Sequence, residues 1–174
     1  FRRGAREVTH LFNAMTPMTH REPGLIGAAL DNDEVGVELI TDGAHVHPAA
    51  VRAAFRLFEN RIVLISDSMS ATGAEDGDYT LGGIQITAQG GRATVNGGRT
   101  LAGSVANLFD CMRSAVGMGV PLGQAVRSAT TNPARALGIQ YDYGSLEPGK
   151  LANILLLDDD LNINTIILRG RIID

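Results

Sequence analysis

The chain has 174 residues, 44% hydrophobic and 20% charged, which suits a soluble globular protein large enough to bury a sizeable core. Lys and Arg total 15 against 19 Asp and Glu, a net charge of -4, so there is no basic field for nucleic acid or an anionic membrane surface. No apolar run approaches the ~20 residues that span a bilayer. The one cysteine, Cys111, has no partner for an internal disulfide and reads as a reduced, buried thiol on an apolar helical face. The chain opens Phe1-Arg2-Arg3-Gly4, with neither an initiator methionine nor a signal-peptide pattern. It is therefore expected to be part of a longer polypeptide working in the cytoplasm, with Arg2, Arg3 and Arg6 on the solvated face of a preceding helix.

In chain order, short β-branched runs predict buried parallel strands over 7–10, 35–41 and 62–66, each ending in polar residues. Between the second and third, Pro48 suits a first helical turn and Val51, Phe55 and Phe58 recur at helical spacing, which predicts a helix over 48–60. Strand, loop, helix, strand is the repeat of a parallel sheet. From about 78 to 101, β-like runs alternate with Gly82-Gly83, Gly90-Gly91 and Asn96-Gly97-Gly98, which predicts a β-hairpin insertion. Val105, Leu108, Met112 and Val116 then form one apolar helical stripe, and Leu122, Ala125, Val126 and Ala129 a second. Asn132-Pro133 reads as an N-cap and first helical position, with Gly138 closing that helix. From Gly144 the pattern is all β, with strands over 152–157, 165–168 and 171–173.

Four histidines and several polar strand ends are the candidate chemistry. His10 stands at a strand end, where an imidazole is either structural or a ligand for zinc, iron or a similar divalent metal. One histidine cannot hold a catalytic metal, which needs about three protein ligands. Asp67 follows the third strand and reads equally as a turn aspartate or as an acid/base that takes a proton from water and returns it to a leaving amine. His45, in Thr41-Asp42-Gly43-Ala44-His45-Val46, either orders its loop or hydrogen-bonds a substrate hydroxyl or amide oxygen. His47 reads as a helix cap or surface residue, and His20 as structural. Leu101-Ala102-Gly103-Ser104 closes the insertion; its small residues would let backbone approach a ligand, and Ser104 would cap the next helix. The glycine pairs lack the spacing of a phosphate-binding P-loop.

The run Thr9-His10-Leu11-Phe12-Asn13-Ala14-Met15, followed by Arg21-Glu22-Pro23-Gly24, resembles a stretch of the N-acetylglucosamine-6-phosphate deacetylases of the amidohydrolase superfamily. The blocks Asp42 to Val46, Ser66-Asp67-Ser68-Met69 and Ala71-Thr72-Gly73 resemble the same enzymes, and Gly144 to Asn153 resembles a segment shared across the superfamily. The resemblance implies an α/β fold: the last three strands of a (β/α)8 barrel over 1–143, and the C-terminal strands of a small β-sandwich over 144–174. A full barrel needs about 250 residues, so the first strands would lie outside this chain.

The resemblance further implies that His10 is a metal ligand, with glutamate and histidine partners that have no matching motif here, and that Asp67 is the catalytic acid/base. By the same likeness His45, Leu101, Ala102 and Gly103 contact the sugar, while Asn13, Ala14 and Arg21 hold its phosphate, the arginine acting across a homodimer interface. The implied activity is hydrolysis of N-acetylglucosamine 6-phosphate to glucosamine 6-phosphate and acetate, in amino-sugar catabolism, with a sugar phosphate as the small-molecule partner and an isolated fragment inactive. The competing readings are a deacetylase for the galactosamine epimer, a cyclic-amide hydrolase and a non-catalytic sugar-phosphate-binding module.

Overall fold

A computed structural model describes residues 1–95, 97, 98 and 100–173; Asn96, within the turn signal 96–98, lies outside the described residues. Three parallel strands, β1 (Glu7–Val8), β2 (Gly36–Ile40) and β3 (Ile62–Ile65), pair in sequence order. Helix α1 (Gly24–Leu30) joins the first pair and α2 (Pro48–Leu57) the second. Val8, Val37, Leu39, Ile62 and Leu64 share one buried core with Ile26, Ala29, Val51, Phe55 and Phe58 from the helices. Alternation along β2 places Gly36 and Glu38 on the opposite side from Val37 and Leu39.

The strands are shorter than the β-branched runs predict. β1 stops at Val8 because His10 takes a left-handed backbone (φ 35°), although Leu11 N–H still bonds the Glu38 carbonyl beside it at 2.7 Å. α2 ends at Leu57 rather than near 60, and Asn60 turns the chain at φ 62°. His47 caps α2 by accepting from Ala49 N–H, as its position before Pro48 predicts. Among the described residues no helix lies ahead of β1: Arg2 and Arg3 lie in a turn, and Arg6 pairs with Glu34. α1 has no counterpart in the predicted elements; its Gly-Leu-Ile-Gly-Ala-Ala-Leu run is short and lacks a side-chain cap.

The insertion is larger than a hairpin. β4 (Gly77–Leu81), β5 (Ile84–Gln89), β6 (Arg92–Val95) and β7 (Thr100–Leu101) form a four-stranded antiparallel meander. Ile86, Ala88 and Ala93 of the meander pack with Met69 and Ala71 in a second core. Val105 packs against this second core instead of starting the next helix. That helix, α3 (Leu108–Gly117), is capped by the Asn107 side chain rather than by Ser104. Helices α4 (Leu122–Ala129) and α5 (Thr131–Ala136) follow, and Asn132, predicted as an N-cap, lies buried within α5 and donates to the Ile62 carbonyl at 2.7 Å. β8 (Ile154–Leu157), β9 (Ile163–Leu168) and β10 (Arg171–Ile173) close the chain as an antiparallel sheet. Among the described residues no helix is long and apolar enough to cross a membrane.

Candidate functional site

Because β1, β2 and β3 are parallel, their C-terminal ends lie along one edge, where parallel α/β folds carry their chemistry. His10 follows β1, Asp42 and His45 follow β2, and Asp67 follows β3. The loop after β1 is strained: His10, Phe12 and Ala14 all have positive φ (35°, 75° and 51°), a conformation such residues rarely adopt. Nδ1 of His10 is buried with no hydrogen-bond partner among the described residues. A buried unpartnered ring nitrogen suits a ligand for a divalent metal. His10 supplies only one donor, and among the described residues no group of three His, Cys, Asp or Glu is placed to hold an ion.

The Asn13 side-chain amide donates to the carbonyls of His10 (3.3 Å) and Leu11 (3.2 Å), so in this conformation it fastens the strained turn. Ala14 and Arg21 are exposed, Arg21 within a turn that Thr19 closes by accepting from Glu22 N–H. His20 is exposed as well.

The loop after β2 is built around Asp42. Oδ1 accepts from the N–H groups of Ala44 (2.9 Å) and His45 (3.0 Å), while Oδ2 meets His45 Nδ1 at 2.8 Å and accepts from the Ser104 hydroxyl at 2.9 Å. The two side chains are nearly sealed, His45 6% and Asp42 4% exposed. Burial pushes the Asp42 carboxyl up, but the His45 ring, the two backbone donors and Ser104 more than offset it and hold the group well below the usual carboxylate range. The Asp42 hydrogen bond raises the pKa of His45 against the opposing effect of burial, with the charges of Asp42 and Asp67 adding to it. Next to this pair, Thr41 donates to the Cys111 carbonyl at 2.7 Å, and burial first, then the Asp42 charge, push the Cys111 thiol up to about 11. Cys111 therefore stays a neutral, buried thiol.

Asp67 is exposed and has a left-handed backbone (φ 54°). Its carbonyl accepts from Ser104 N–H at 2.8 Å, and the Ser104 carbonyl accepts from Met69 N–H at 3.0 Å. Gly103 (φ 81°) makes this approach possible: a Cβ there would come within 3.0 Å of the Asp67 carbonyl oxygen. Leu101, Ala102 and Gly103 are half-buried alongside, with Ala102 packed on the second core. Ser104, predicted as a helix cap, instead ties the ends of β2 and β3 together. The spacing Asp42-x-x-His45 across a glycine was the available signal for Asp42; no local signal marks Ser104, 62 residues away.

The chain is 42% identical to the N-acetylgalactosamine-6-phosphate deacetylase of Escherichia coli O157:H7 over 174 residues, covering 99% of this chain and 46% of that protein. It is likewise 42% identical to the N-acetylglucosamine-6-phosphate deacetylase of Vibrio furnissii, covering 98% of this chain and 43% of the relative. A mutant N-acetyl-D-glucosamine-6-phosphate deacetylase from Mycobacterium smegmatis, solved in complex with N-acetyl-D-glucosamine-6-phosphate, superposes with a TM-score of 0.91 at 42% identity, over 97% of this chain and 45% of that one. The chain thus spans under half the length of these three proteins. Its residues 2–173 match the amidohydrolase family model, and the chain belongs to the amidohydrolase family.

Proposed function

We propose that the chain is part of a deacetylase that hydrolyses the acetamide of N-acetylglucosamine 6-phosphate to glucosamine 6-phosphate and acetate. The observation that carries this is the placing of His10, His45 and Asp67 after three successive parallel strands, at one sheet edge. The parallel strands are then the last three of a (β/α)8 barrel, residues 1–143, and the separate antiparallel sheet within 144–174 is part of a β-sandwich. The protein acts in the cytoplasm as a homodimer. The exposure of Arg21 leaves its guanidinium able to reach a phosphate across such an interface.

Each residue has a definite task. Arg21 and the Asn13-Ala14 turn hold the phosphate, which fixes the acetamide far from the charge. For its side chain to join in, Asn13 releases one of the carbonyls it now holds. His45 presents its remaining ring nitrogen, Nε2, to the sugar, with Leu101, Ala102 and Gly103 lining the same pocket. A divalent metal, zinc or iron, held in part by His10 would supply Lewis acidity, polarising the acetamide carbonyl and acidifying water. An Asp67 carboxylate oxygen accepts a proton from the water that attacks the acetyl carbon. As the carbon–nitrogen bond breaks, Asp67 returns that proton to the amine nitrogen. Since His10 is one ligand only, the chain by itself is inactive.

Acetate release by the full-length protein tests the proposal, comparing N-acetylglucosamine 6-phosphate, its galactosamine epimer and the unphosphorylated sugar, with and without chelator. Both epimers are included because relatives named for each are 42% identical to this chain. Chelator-sensitive release that needs the phosphate and favours the gluco epimer is the expected outcome. Release that ignores the phosphate would discard this substrate class, and a preference for the galacto epimer would reassign it.

A further inference from the structure

The aspartate bound to His45 and the serine bound to that aspartate have no task in the reaction above, yet together they form a closely hydrogen-bonded polar cluster at the strand ends. A carboxylate only accepts hydrogen bonds, and Asp42 is held in its ionised form, so the His45 nitrogen 2.8 Å away must carry a proton. Nδ1 is thereby committed, and Nε2 is left for whatever enters the pocket. The ring cannot turn over without losing its hydrogen bond to Asp42 Oδ2 in a nearly sealed setting, which is costly.

Ser104 adds the second constraint. Its hydroxyl bonds the same Asp42 oxygen, Oδ2, that receives the ring. Its N–H bonds the Asp67 carbonyl, and its own carbonyl receives both Met69 N–H and the Thr72 hydroxyl. One buried residue therefore sets the orientation of the His45 carboxylate partner and the backbone that carries Asp67. We propose that Asp42 and Ser104 are positioning residues: they lock His45 with Nδ1 protonated and Nε2 towards the sugar, and hold that ring in register with Asp67. This rests on His45 contacting the substrate. The charged groups acting on the ring are Asp42 and Asp67, and the nearby Cys111 thiol stays neutral.

The test uses the full-length protein labelled with 15N-histidine, with the His45 signals assigned by their loss in His45→Asn. In the wild type, Nδ1 keeps its proton and the ring titrates above the ordinary imidazole value. In Asp42→Asn, the titration falls by about one pH unit or more as the carboxylate charge and its hydrogen bond are lost. Ser104→Ala lowers kcat/KM roughly tenfold, the scale expected for one hydrogen bond to a charged group. Ser104→Thr, which keeps the hydroxyl, restores most of it. Thr41→Val is the control, since it removes a buried hydroxyl beside Asp42 that does not touch the ring. It lowers stability and leaves the His45 titration in place. An unchanged titration in Asp42→Asn, or a loss of kcat/KM in Ser104→Ala no larger than in Thr41→Val, would overturn the proposal. The imidazole titration needs no substrate, so it decides the role of Asp42 even if acetate release fails and the proposed reaction falls.

Discussion

Asp67 and Asp42 both follow a strand end, but their surroundings give them different chemistry. Asp67 is exposed and its backbone is pinned by Ser104, so its carboxylate is open to solvent, as the proposed acid/base role requires. In the full-length protein, Asp67→Asn should leave sugar-phosphate binding by calorimetry near the wild-type value while turnover falls by roughly 10²–10⁴-fold. Retained acetate release would remove Asp67 from the reaction. Asp42 is closed off, and its consequence is a pH-dependent stability. Its folded pKa lies below the ordinary 3.8, so its contribution is present above that value and is lost as pH falls through the lower folded one. His45 lies above the ordinary 6.5, so its contribution is complete below that value and is lost as pH rises through the raised one. The stability deficit of Asp42→Asn should therefore be largest between about pH 4 and 6.5 and shrink on the alkaline side. Thermal unfolding from pH 4 to 9 reads this directly, and a deficit flat across that range would contradict it.

At the scale of elements, what holds the strand ends together is backbone proximity between pieces distant in sequence. The segment leaving β7 lies against the turn leaving β3, bridged by Ser68 and Ser104 and by the Ser68 hydroxyl to the Ala106 carbonyl. Gly103→Ala puts a Cβ against the Asp67 carbonyl oxygen and a side chain on a left-handed backbone. It should destabilise the protein by about 1–3 kcal/mol and lower kcat. A variant with wild-type melting and activity would show that the turn yields freely. At the opposite, N-terminal end of β3, α5 is fastened to the strand by the buried Asn132 amide on the Ile62 carbonyl. Asn132→Ala leaves that carbonyl without its donor and should cost about 1–3 kcal/mol in urea unfolding, with no change in the His45 titration.

Over the whole molecule, an exposed apolar sheet and the open edges of the parallel sheet stand out. The β8–β10 sheet exposes Leu156, Leu168 and Ile172, the last at 70%. Among the described residues, the parallel sheet ends in two strands, β1 and β3, that each pair on one side only. Exposed apolar strands and open edges favour association. The 174-residue chain produced alone should therefore self-associate at micromolar concentration, seen by sedimentation velocity, and bind a hydrophobic dye. A monomer with a cooperative melt by circular dichroism would contradict this.

Local pattern was enough for several of these features. The β-branched runs at 35–41 and 62–66 located β2 and β3, since such side chains suit a pleated, two-sided core, and His47-Pro48 located the start of α2. The apolar helical setting of Cys111 correctly implied a buried thiol. Local pattern misjudged the rest where distant contacts compete. The meander gained strands because each needs its neighbours to satisfy its backbone, and Ser104 left its expected helix cap for an acceptor 62 residues away. The motif blocks around His10, His45 and Asp67 pointed to the family by themselves. Only the tertiary structure could decide that Asp42 and Ser104 join two of those blocks, because a hydrogen bond across a folded sheet depends on how chain reversals bring residues together, and no spacing in the sequence encodes it.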